Sequence, residues 1–131
     1  MDQKQQLALI ERYVAAYNAI DVEAMMAPLH QDVMFRNVSG GEVTHETNGV
    51  AAFRAQAEEG ARMFAARAQR ITGTRPVADA GDPGLTVGIA YSGVLARDLP
   101  NGAKAGDAIE LIGESEFRFR EGKIVAIIDR S

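Results

Sequence analysis

Apolar side chains recur mostly at helical spacing before residue 65, interrupted by two short strands, and at strand spacing beyond it. Leu7, Ile10, Val14 and Tyr17, with Tyr13 beside them, lie three and four residues apart and predict a helix over 4–19 with one face toward a core. Asp21 then stands where it can cap a short second helix, with Glu23 near the positive end and Met25, Met26 and Leu29 on the buried side. Pro28 keeps that helix brief, and His30 is expected at its end, where a cation interacts well with the dipole. A short strand over 33–38, a turn at Ser39-Gly40-Gly41 and a second strand over 42–47 follow. Asn48 reads as the N-cap of a third helix that carries Val50, Phe53, Ala57, Ala61 and Phe64 on one face. Gly60 weakens it by roughly 1 kcal/mol relative to alanine.

From there the pattern is β, with strands expected over 66–78, 85–97, 107–120 and 123–130. The segments Ala80-Gly81-Asp82-Pro83-Gly84, Leu99-Pro100-Asn101-Gly102 and Glu121-Gly122 separate them with turn chemistry. Between Ile109 and Arg120 the odd positions are apolar or small, while Glu110, Glu114, Glu116, Arg118 and Arg120 occupy even ones. One face of that strand is therefore buried, and the other is set for cross-strand ion pairs. Helices first and a long meander afterwards give an α+β fold, with helices covering one side of an antiparallel sheet. No repeat or linker divides the chain, so residues 1–131 form one domain.

Composition narrows the function classes. With 131 residues and 47% hydrophobic content, the domain buries enough core to need neither metal nor disulfides, and the absence of cysteine excludes thiol chemistry and Cys-ligated zinc. A net charge of −4 with interspersed signs offers no basic field for nucleic acid, and 6% aromatics leave few stacking platforms. The start MDQKQQ lacks the features of a signal peptide, and no run of about 18 apolar residues spans a membrane, so a cytoplasmic protein is expected. Neither GxxxxGK[ST], GxGxxG nor GxSxG occurs. His30 and His45 lie 15 residues apart without ligand spacing, so neither a metal nor another cofactor is expected.

The run Arg12-Tyr13-Val14-Ala15-Ala16, the strand Phe117-Arg118-Phe119 before the turn Gly122-Lys123, and the order of elements resemble the nuclear transport factor 2-like superfamily. That superfamily includes the SnoaL-like polyketide cyclases and the ketosteroid isomerases. The resemblance implies a cone-shaped curved antiparallel sheet packed against three N-terminal helices, a cystatin-like α+β roll around a deep pocket. It also implies a homodimer built on the outer sheet face. In the isomerases a carboxylate moves a proton while a tyrosine and a protonated aspartic acid donate hydrogen bonds to the developing oxyanion. Tyr13 falls on the tyrosine, but Asn37 falls on the base and Ser115 on the protonated acid. The standard isomerase reaction is therefore not expected.

If the last strand alternates as in that family, Ile127 and Asp129 point into the cone. Asp129 then becomes the proton-moving candidate, its pKa raised by apolar surroundings, unless it lies on a frayed, solvated end. His45 is a second candidate base, provided its strand turns it inward rather than along an exposed edge. With Tyr13 these form the expected catalytic set, and Asn37, Ser115, Tyr17 and Phe117 are the expected ligand contacts. The ligand implied is a small, mostly apolar metabolite bearing a carbonyl or hydroxyl. The chemistry would be a cofactor-free isomerisation, cyclisation or dehydration; the competing class is a non-catalytic ligand-binding or dimerisation module.

Overall fold

Asp2 begins the first helix by a reciprocal arrangement: its side chain accepts from the Gln5 backbone N–H at 2.8 Å, and the Gln5 side chain accepts from the Asp2 N–H at 2.9 Å. In the computed structural model, which describes residues 1–131, the helix α1 (Gln3–Asn18) buries Ile10, Tyr13, Val14 and Ala16 along one stripe. Asp21 caps α2 (Val22–Met26) as expected, accepting from the Ala24 N–H at 3.1 Å. The remaining elements are β1 (Leu29–Ser39), β2 (Glu42–Asn48), α3 (Val50–Met63), β3 (Phe64–Pro76), β4 (Gly84–Leu95), β5 (Ala108–Arg120) and β6 (Lys123–Arg130). They form an α+β fold in which one six-stranded sheet has the order β2-β1-β6-β5-β4-β3.

Four local expectations are corrected. His30 belongs to β1 rather than to a helix end, because α2 is only five residues long and the Pro28 carbonyl already accepts from the Ile124 N–H at 2.9 Å. There His30 is buried, with Nε2 2.8 Å from the Glu121 carboxylate. The cap position of α3 is Gly49, not Asn48: the chain enters the helix at φ 88, a left-handed value that suits glycine, and Asn48 donates to Glu46 instead. Phe64 starts β3 directly after α3 rather than closing the helix face. Finally, the sheet is not antiparallel throughout, since β6 pairs in parallel with β1 and antiparallel with β5.

That placement of β6 aligns residues into rows across the sheet. Phe35, Ile127, Phe117 and Leu85 form one row, and Asn37, Asp129, Ser115 and Val87 the next. Because these rows share a face, the first supplies apolar floor beneath the helices and the second supplies polar groups nearer the open end. Tyr13, Phe53 and Met25 from the three helices pack onto the same core. On the opposite face the expected ion pairs form, with Arg75 and Arg130 reaching Glu114 and Glu116 at 2.8 and 2.9 Å. The segment between β3 and β4 folds back over this face, where Asp79 meets Arg118 at 2.6 Å and Asp82 meets Arg120 at 2.7 Å.

The end of β6 is tied down rather than frayed. The Ser131 N–H donates to Val38 at 3.0 Å and the Ser131 carbonyl accepts from Gly40 at 3.2 Å. Gly113 permits the close approach of β5, because a Cβ there would collide with the Arg130 carbonyl oxygen. Gly113→Ala is therefore expected to destabilise the fold by about 1–3 kcal/mol, as overpacking does, and urea unfolding of the variant against the parent measures it.

Candidate active site in the cone

The concave face holds two connected compartments. The inner one, about 170 Å³, lies under the helices between Tyr13, Phe35, Phe53, Arg67, Phe117 and Asp129. The outer one, about 200 Å³, reaches toward the mouth past Asn37, Ile89, Tyr91 and Gly113. Tyr17, Gln69, Ser115 and Asp129 line both and form the waist between them.

Asp129 is the centre of this arrangement. Its residue keeps partial contact with the cavity space, while its carboxylate lies deep among protein atoms. Burial raises its pKa from 3.8 to about 6, against the opposing effect of the Ser115 hydroxyl, which donates to the carboxylate at 2.6 Å. Ser115 is itself buried and in register with Asp129, so the pair is fixed by the sheet rather than by flexible side chains.

Tyr13 sits across the inner compartment, 5% exposed, with Phe117 edge-on at 6.0 Å between ring centroids. Burial, and next the negative charge of Asp129, push its phenol well above the ordinary range, so it stays protonated as a donor. No protein group shares a hydrogen bond with that hydroxyl. Tyr17, one turn later, bonds hydroxyl to hydroxyl with Tyr91 at 3.3 Å, and burial also drives its pKa up.

Three expected residues thus line the same compartment, Tyr13 on one side and Asp129 with Ser115 on the other, with Phe117 also in its lining and Tyr17 at the waist. Asn37 stands near the mouth, in register with Asp129, with its amide donating to Thr44 at 2.8 Å. His45 is not brought to the site. It pairs with Asn37 on the edge strand β2, exposed to solvent, and lines neither compartment. No three His, Asp or Glu side chains gather as a set able to hold a metal ion.

Sequence reading missed Arg67, Gln56 and Tyr91. Arg67 is buried, with Nε donating to the Tyr17 carbonyl at 2.8 Å and the guanidinium carbon 3.7 Å from the centroid of the Tyr17 ring. The signal for it was present: Arg67 and Gln69 share the parity of Ile71, which puts them inside a strand whose even positions are exposed. Gln56 is on α3, and its buried Oε1 has no partner.

A curved sheet whose concave face is covered by helices and carries polar groups on its wall is the nuclear transport factor 2-like architecture. This chain belongs to the SnoaL-like family: the SnoaL-like domain matches residues 10–127. A candidate polyketide cyclase from Xanthomonas campestris pv. campestris superposes with a TM-score of 0.74 at 21% identity, covering 98% of this chain and 91% of that one. A candidate polyketide cyclase from Pseudomonas putida gives 0.69 at 25% identity, over 92% and 86% of the two chains. A candidate isomerase from Bacillus subtilis gives 0.74 at 13% identity, over 99% and 88%. No match was found among curated proteins. The chain therefore has a fold shared by proteins of the small-molecule cyclase and isomerase type, and none of its helices is long and apolar enough to cross a membrane.

The raised pKa of Asp129 has a signed consequence for stability. A carboxyl that titrates at 3.8 unfolded and about 6 folded disfavours the folded state once ionised; the penalty is absent below the unfolded value, grows between the two, and is complete above the folded one. Asp129→Asn removes it and is expected to stabilise the protein by up to about 3 kcal/mol near pH 8, with the gain vanishing below about pH 4. Urea unfolding of both proteins across this range reads the difference directly.

Proposed function

We propose that the cone binds a small, mostly apolar metabolite through a carbonyl or hydroxyl oxygen and catalyses a cofactor-independent proton shift, of the kind that underlies isomerisation or cyclisation. The observation that carries this reading is a carboxylate lining the same compartment as a buried phenol that has no protein partner, its pKa raised to about 6 by burial. Asp129 as carboxylate takes a proton from the carbon next to the carbonyl, and Tyr13 donates to the carbonyl oxygen as it gains negative charge. Ser115 engages one oxygen of the carboxylate, and no protein group hydrogen-bonds the other. Apolar neighbours such as Phe35, Phe53 and Phe117 exclude water from the developing enolate.

Exchange of the ring-ketone α-proton of 1-indanone in deuterated buffer, followed by proton NMR, tests this chemistry without knowledge of the natural ligand. Asp129→Asn is expected to lower the catalysed rate at least about 100-fold, the usual share of a general base, and Tyr13→Phe to lower it by about tenfold or more. The parent rate should climb as pH rises through about 6 and level off above it, because the base must be ionised. Unchanged exchange in both folded variants would falsify the assignment.

The same proposal includes a second copy of the chain on the outer sheet face. Ile112 is 86% exposed on that face, beside Ala68 and Ala90 in a shallow concavity, an apolar group that nothing within the chain covers. The folded-back segment 77–83 covers the other end of that face, which leaves the β3–β5 end for pairing. Sedimentation is expected to give a dimer that Ile112→Asp converts to monomer with the proton-exchange rate per chain reduced less than tenfold. A monomeric parent protein at all concentrations removes this part of the proposal.

A further inference from the structure

Arg67 is the chain's one buried arginine or lysine, and no acid answers its charge. The ion-paired arginines, among them Arg36, Arg54, Arg75, Arg118, Arg120 and Arg130, each meet a carboxylate on the sheet or helix surface. Arg67 instead has a carbonyl oxygen on Nε, the face of the Tyr17 ring, and a weak contact from Nη2 to the Met25 sulfur at 3.7 Å. Guanidinium does not lose its proton in proteins, so the charge persists in the interior. A carbonyl, a ring and a thioether satisfy it only in part, and Nη1 has no acceptor.

That unsatisfied side faces the inner compartment. Nη1 lies next to Gly60 of α3, where a Cβ would sit at an ordinary contact distance of 3.9 Å. One turn earlier on the same helix face, Gln56 buries an unpartnered side-chain oxygen in the lining of the same compartment. The two ends of an amide are exchangeable by rotation, so Gln56 can turn an N–H toward an acceptor placed next to Arg67. As placed, the orphan on Gln56 is an acceptor; with the amide turned, its N–H joins the Arg67 guanidinium in donating to an oxygen with spare lone pairs.

We propose that Arg67 and Gln56 form an anion subsite, and that the ligand of this cone is a monocarboxylic acid carried on about one ring, bound as its carboxylate. The proposal rests on the reading of the cone as a ligand site and specifies the class of ligand. A planar carboxylate matches the fork of a guanidinium, whereas a neutral carbonyl would leave the buried charge uncompensated. A phosphate dianion would bring more negative charge than one arginine balances, close to the carboxylate of Asp129. The size also fits, since a cavity of about 150 Å³ admits benzene and the inner compartment measures about 170 Å³. With its carboxylate on Arg67, the ring lies among Tyr13, Phe53 and Phe117, and its far side approaches Asp129.

Calorimetric titration with benzoate and with benzamide, which share shape and differ in charge, tests the subsite. The parent protein is expected to bind benzoate at least about tenfold more tightly than benzamide, the difference an unpaired buried charge supports. Arg67→Met should abolish the preference while leaving benzamide binding within about twofold, and Arg67→Lys should retain a preference for the acid. Arg67→Met should also melt no lower than the parent, because replacing an uncompensated buried charge by an apolar chain of similar length does not weaken a fold; a purely structural arginine would lower it. Equal binding of acid and amide by the parent overturns the anion subsite and leaves the ligand-site reading standing, and so does a preference that survives in Arg67→Met. Binding of neither probe overturns both. If Arg67→Met does not fold, the structural role is favoured and the proposal falls unless the parent and Arg67→Lys both discriminate acid from amide.

Discussion

The position of β6 between β1 and β5 governs everything polar in the cone. One neighbour is parallel and the other antiparallel, and the two registers together set Asn37, Asp129 and Ser115 side by side. A slip of one residue would turn Ile128 inward and Asp129 out to the opposite face, removing the acid and stranding the Ser115 hydroxyl. Apolar residues guard against that slip, since Ile127 and Phe117 are nearly inaccessible only in the observed register. Core packing and the placement of the carboxylate are thus the same constraint seen from two sides.

Much of this was legible along the chain because it is local. The stripe of α1, the turn chemistry at Gly84 and Glu121-Gly122, and the alternation through β5 fix element types, and the parity of Phe117 and Ser115 follows from that alternation alone. What escaped was set by distant partners or by backbone strain. Leu29 and His30 join a strand because Ile124 pairs with that segment from far along the chain, and Asn48 yields the cap position to a glycine because the turn demands a positive φ. Parallel pairing of β1 with β6 leaves no local signature. Arg67 was missed for another reason: a charge in a strand reads as solvent-facing, although its phase with Ile71 says otherwise.

The site differs from that of a carboxylate-rich isomerase in how it distributes charge. Its inner compartment has one carboxylate, held by a serine, and one guanidinium, held by a ring and a carbonyl, and the two are not paired with each other. Burial raises the pKa of the carboxylate, and no acid pairs with the guanidinium, an arrangement that costs stability. Solved structures at 13–25% identity share the architecture, so the fold specifies a cone and the side chains on its concave wall specify the chemistry.

The waist at Tyr17, Gln69, Ser115 and Asp129 has a bearing on regiochemistry. A molecule longer than one ring must lie through both compartments, with one end under the helices and the other toward Asn37 and Tyr91. The carboxylate then meets the middle of such a molecule and neither of its ends. If Asp129 is the base proposed above, selectivity for the bond that reacts comes from counting inward from the seated end, as on a ruler, and lengthening the distal part of a ligand changes its grip without moving the carbon that meets the carboxylate.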